Sequence, residues 1–137
     1  MRSIALLIAG TFLASCMATA GPPEYAQRSP SGQRAYETLF AGKVAGRPIN
    51  CLPNYNANDM SIIDGHTIGF RVTSRTSYLV HLGPGCELLG TGNYALLSRQ
   101  FGGGGLCRGD IQQVVDTLNH TNMGSCTITA IEPYTRP

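Results

Sequence analysis

Charge is scarce in this chain. Only 13% of its 137 residues are Asp, Glu, Lys or Arg. Ten basic residues face eight acidic ones, a net +2, and removal of Arg2 with a leader lowers that by one. The basic residues are scattered, so no electrostatic footprint for nucleic acid is present. A Cys-x-x-Cys pair is also missing. Structural zinc usually needs one, because two ligands must leave one tight turn toward one ion. There is no Gly-x-Ser-x-Gly elbow, no phosphate loop and no His-Glu-x-x-His helix, which removes the common hydrolase, nucleotide and metalloprotease signatures. No internal repeat is found. No apolar run is long enough to cross a bilayer as a stable helix; Ile4 to Ala14 stops short of that length. Low charge can accompany disorder, but 42% hydrophobic content in regular patterns argues against it here.

What is present begins with an export leader. Arg2 supplies the positive end, and Ile4 to Ala14 the apolar stretch. Leu13-Ala14-Ser15-Cys16 looks like a bacterial lipobox, in which Cys16 is acylated and becomes the first residue. Ala18-Thr19-Ala20 offers the competing cleavage, which would release a soluble periplasmic or secreted protein. With the lipobox, residues 1–15 are signal, 16–31 anchor and tether, and 32–137 one β-rich domain. Pro22, Pro23 and Pro30 fit the tether. The expected partner of the anchor is the outer membrane, since Met17 rather than aspartate follows the cysteine.

Four further cysteines, Cys51, Cys86, Cys107 and Cys126, form an even set. In a small exported domain such a set reads as two disulfides. Composition leaves all three connectivities open. Metal and cofactors are not expected.

Along the chain, Ser29 or Ser31 can cap a helix. Tyr36, Leu39, Phe40 and Val44 would lie on one face of it, and Gly46 and Pro48 would end it. Strand periodicity follows. Asp64-Gly65 suits a tight hairpin turn. Ile68, Phe70 and Val72 alternate with the wetter Thr67, Gly69, Arg71 and Thr73. Ser74-Arg75 is a second turn, and Tyr78, Val80 and Leu82 alternate in the next strand. Tyr94 to Phe101, Ile111 to Leu118 and Cys126 to Ile131 complete the set. Short strands at this spacing predict a mainly β fold with one N-terminal helix. The expected architecture is a small antiparallel sheet, closed or nearly closed like a barrel and stapled by two disulfides.

The stretch Leu106 to Ile111 combines a cysteine, a turn glycine and the pair Arg108 and Asp110 after the glycine run Gly102 to Gly105. Arg108 and Asp110 are the candidate binding residues. The plainer reading is a turn in which Asp110 caps backbone amides and Cys107 is bridged. Arg108-Gly109-Asp110 also spells an adhesion tripeptide, here read as turn chemistry. His66, His81 and His120 are candidate bases, but no acid at strand or helix spacing orients them, so they read as surface residues. Asp64 and Asp110 form a possible carboxylate pair only if the fold brings them together. Asn119-His120-Thr121, a glycosylation sequon in form, reads as a turn under a bacterial leader.

The sequence resembles the DUF6491 family of small exported proteobacterial envelope domains. The resemblance runs from Cys51 to Tyr134. It rests on Cys51, Ile63-Asp64, the strand Tyr78 to Leu82, Gly85-Cys86, Leu106-Cys107-Arg108-Gly109-Asp110, and Cys126 with Ile131-Glu132-Pro133-Tyr134. It implies an envelope location and a β-rich fold, and brings no catalytic residue with it.

The expected function is a non-enzymatic, envelope-anchored domain, a structural or binding accessory of an unidentified envelope partner. One alternative is a periplasmic inhibitor of a lysozyme-like hydrolase. Another is a small hydrolase using His and Asp residues. The expected pairing is Cys86–Cys107 and Cys51–Cys126. One strand separates the first pair. A sheet closing on itself would bring Cys51 on the first strand to Cys126 on the last.

Overall fold

A computed structural model describes residues 28–53, 56–98 and 105–137. Cys16, most of the tether and Gly102 to Gly104 lie outside the described residues.

Helix α1 spans Pro30–Phe40. Ser29 is its N-cap, and its hydroxyl accepts from the Gly32 amide at 3.1 Å. Pro30 at the first helical position loses no bond there, because that amide has no helical partner. The helix ends earlier than the sequence suggested. Ala41 leaves helical geometry with ψ 127. Val44 therefore lies not on the helix face but in strand β1 (Val44–Ala45), where it is largely exposed.

Eight strands follow: β2 (Cys51–Leu52), β3 (Met60–Asp64), β4 (Thr67–Arg71), β5 (Thr76–Leu82), β6 (Tyr94–Ser98), β7 (Leu106–Cys107), β8 (Ile111–Asp116) and β9 (Asn122–Thr135). The main sheet is antiparallel, with order β3-β4-β5-β9-β8-β6. The 14-residue β9 is its spine. The second half of β9 pairs with β5, from Thr76↔Thr135 to Leu82↔Ile128. Its first half pairs with β8, from Ile111↔Thr127 to Val115↔Asn122. The sheet curls into a half-barrel with β3 and β6 at its edges. The mainly β, one-helix, two-disulfide expectation holds, with the curl stopping short of closure.

β2 and β7 form a separate two-residue ribbon. Its Leu52 and Leu106 are fully buried in the main core, beside Ile68, Val80, Val114 and Ile131. The ribbon and the turn carrying Cys86 and Leu89 thus help fill the hollow of the curl.

A second, smaller core lies on the convex side. Leu39 and Phe40 of α1 pack on Ile63 and Leu79, with Tyr36 and Tyr134 at its margin. Gly69 of β4, expected on a wetter face, is buried under this helix. A Cβ there would stand 2.5 Å from Leu39 Cδ1, so glycine allows the close approach of helix and sheet without displacing the Leu39 side chain. Likewise, a Cβ on Gly32 would stand 1.8 Å from the Ile63 carbonyl oxygen. Val72, expected to continue the apolar alternation, lies in the 72–75 turn instead.

The disulfides correct the expected pairing. The bonds are Cys51–Cys107 and Cys86–Cys126, not Cys86–Cys107 and Cys51–Cys126. The reason is strand order. Cys51 does not open an edge strand of the main sheet; it pairs with Cys107 across the ribbon. β9 is central rather than terminal, so Cys126 faces the chain leaving β5. The Gly83 amide donates to the Thr127 carbonyl at 2.8 Å, extending that ladder and carrying Cys86 to Cys126.

Candidate functional site

The turn Cys107 to Asp110 is built from its own backbone. The Asp110 amide donates to the Cys107 carbonyl at 3.1 Å, and Asp110 Oδ2 accepts from the Cys107 amide at 2.7 Å. Gly109 takes φ +88, a left-handed value that suits glycine. Its amide donates to the Ile128 carbonyl, and the Arg108 amide to the Asn50 carbonyl. These bonds dock the turn on β9 and on the chain entering the ribbon. Asp110 therefore caps a backbone amide and Cys107 is bridged. Arg108 is exposed, and among the described residues no ion pair holds its guanidinium.

Beside this turn is an open hollow of about 560 Å³, lined by Asn50, Cys51, Cys107, Arg108, Gly109, Ile128 and Thr129. Two smaller hollows flank the helix. One of about 300 Å³ includes Thr38, Met60 and Arg71. One of about 140 Å³ includes Ser29, Asp64 and Glu87.

The fold does not join the candidate acids and bases. Asp64, at the hairpin tip, is buried and accepts three bonds: from Arg28 Nε at 3.2 Å, the His66 amide at 2.8 Å and Thr67 Oγ1 at 2.5 Å. Its link to His66 is through the backbone, not the imidazole. Asp110 lies in the ribbon turn, and no hollow described above has both carboxylates in its lining. His120 sits at φ 58 in an exposed turn that also contains Asn119. Glu87 is exposed; the Gly85 amide, 2.8 Å away, lowers its carboxyl below the ordinary carboxylate range.

One cluster was not legible in the sequence. His81 Nε2 stands 3.5 Å from Glu132 Oε1 on the convex face. It has no hydrogen-bond partner among the described residues. Glu132 also touches the Tyr134 hydroxyl, as does Tyr36 from the helix. Burial, then these two neighbours, push the Tyr134 phenol up to about 12. Lys43 Nζ donates to Ser77 Oγ at 2.6 Å and to the Leu39 carbonyl at 2.8 Å. Burial and the nearby Arg71 and Arg136 lower its pKa. The signal would have been the outward row Ser77, Leu79, His81 against Glu132 and Tyr134. Seeing it requires the register Leu79↔Glu132.

The far half of the same convex face is different. Leu97, Gln113 and Ser125 form one cross-strand row, and Ala95 with Val115 the next. Leu97, Ile111 and Met123 are each more than two-fifths exposed. No charged residue occurs in Tyr94–Ser98, in 111–115 or in 122–127. No described helix covers this half, and β6 is one of the two edge strands of the sheet among the described residues.

No group of three or more metal-ligating side chains is assembled among the described residues. No helix among them is long and apolar enough to cross a membrane. No family model, curated protein or solved structure matches the chain. The resemblance to the DUF6491 family therefore rests on the residues quoted for it.

Proposed function

We propose that this chain is an exported, membrane-tethered binding domain that docks an envelope protein on the bare convex face of β6, β8 and the first half of β9. The observation that carries the reading is that face: the adjacent stretches Tyr94–Ser98, 111–115 and 122–127 hold no charged residue and present Leu97, Ile111 and Met123. Apolar sheet surface left exposed in a small domain marks an interaction site more often than isolated exposed side chains do. A partner with an apolar, weakly charged surface fits it, and the free edge of β6 can add main-chain bonds. The leader and the two disulfides support an oxidising compartment outside the cytoplasm. Acylated Cys16 is the tether, with the outer membrane its destination. The engagement of Asp64 and Asp110 in structural bonds favours binding over hydrolysis.

The test is capture from a bacterial envelope extract. The wild-type chain retains a partner, the pair Leu97→Glu with Ile111→Glu loses it, and Arg34→Glu on the helix side keeps it. Equal capture by all three overturns the docking face. Purified lysozyme is a separate probe; inhibition lost with the same pair would make the partner a hydrolase. Mass spectrometry of the first residue checks the tether. A diacylglyceryl adduct on Cys16 is expected, and an unmodified start at Gly21 would contradict it.

A further inference from the structure

The two disulfides differ in what covers them. Cys86 and Cys126 are 0% and 4% exposed, inside the main core. Cys51 is exposed and Cys107 half-buried, and both line the open hollow of about 560 Å³. Cys51–Cys107 joins register partners of a ribbon only two residues long on each side. Removing it leaves the ladders of the main sheet intact, because neither cysteine belongs to them. Arg108 follows Cys107 directly, exposed at the rim of the hollow.

We propose that Cys51–Cys107 is a thiol–disulfide exchange site for an external dithiol, while Cys86–Cys126 is a permanent staple. Exchange needs access of a thiolate to a sulfur, and only the ribbon bridge offers it. One thiolate of the dithiol attacks the Sγ of Cys51, the more exposed residue of the pair. The Cys51–Cys107 bond breaks, and its electron pair leaves on Cys107 Sγ as a thiolate. The dithiol's second thiol gives its proton to water and attacks the mixed disulfide at the dithiol's own sulfur. Cys51 Sγ then departs as a thiolate. The dithiol is oxidised by two electrons to a disulfide, and this chain holds them as two thiolates that take protons from water. The Arg108 guanidinium favours the incoming thiolate. The opposing Asp110 carboxylate is engaged by the Cys107 amide. The exchange hollow shares no residue with the proposed docking face, so either assignment can fail alone.

The test uses the wild-type chain with limiting dithiothreitol at neutral pH. Free thiols are alkylated at intervals, remaining disulfides are then reduced and given a second label, and peptides are mapped. Cys51 and Cys107 should be labelled first, by about tenfold in rate, as access controls exchange. Far-UV circular dichroism should be unchanged at that stage. Simultaneous opening of both bridges, or Cys86–Cys126 opening first, overturns the proposal. Glutathione with a rapid acid quench gives the direction of attack. The mixed disulfide belongs on Cys51, and an adduct on Cys107 instead would overturn the stated step. The double variant Cys51→Ser with Cys107→Ser should keep its sheet spectrum. If it fails to fold, the bridge is a staple and the proposal falls.

Discussion

The convex face of one sheet has two halves, and they are treated differently. Over β3, β4, β5 and the end of β9, helix α1 lies close enough that a Cβ on Gly69 would press on Leu39. Several charged and polar groups there are tied down, among them Lys43 to Ser77, and Asp64 to Arg28 and Thr67. Over β6, β8 and the start of β9 no described helix lies on this face, and residues 94–98, 111–115 and 122–127 carry no charge. A β-sheet face becomes core only when something else buries it. Here the same backbone arrangement gives core on one half and surface on the other, and the difference is the presence of a single helix.

Removing the helix contact should have the largest effect. Leu39→Ala deletes a side chain only 4% exposed and should cost about 3 kcal/mol by urea titration. Gly69→Ala should cost less, about 1–2 kcal/mol, since its Cβ meets the movable end of Leu39 rather than backbone. The double variant sharpens the point. Shortening Leu39 makes room for the new methyl, so the combined loss should be smaller than the sum. Strict additivity would mean that the two do not touch.

Next is a pH effect confined to the covered half. The folded state raises Tyr134 from 10.0 to about 12, so it holds the phenolic proton more tightly than the unfolded chain does. The associated stability is full below pH about 10 and is lost as pH rises through about 12. Tyr134→Phe should remove this part of the alkaline loss, seen as a smaller difference between urea midpoints on the two sides of that window. An unchanged difference would place Tyr134 outside the covered cluster. The smallest effect belongs to the bare half. Leu97→Gln and Ile111→Gln should each shift stability by less than about 0.5 kcal/mol. A larger loss would show that this half is also buried.

Local chemistry was legible and neighbourhood was not. The cap at Ser29, the alternation of Ile68 with Phe70, the β-branched strand around Val114 and the capped turn at Asp110 all follow from short-range rules. The disulfide pairing failed because it depends on strand order, and β9 sits in the middle of the sheet instead of closing it. Gly69 reads as wet because its sequence pattern does not reveal that helix α1 packs over it, and Thr67 because its pattern does not reveal the bond to the buried Asp64. His81 and Glu132 lie far apart in the chain and meet only through the β5–β9 register.

The contrast between the halves can be measured residue by residue. Methyl NMR with a soluble paramagnetic probe reports which side chains solvent reaches. Leu97, Ile111 and Met123 should broaden strongly, while Leu39, Ile63 and Leu79 under the helix should stay sharp. Equal protection of both groups would show that the far half is covered too, and would contradict the bare docking face.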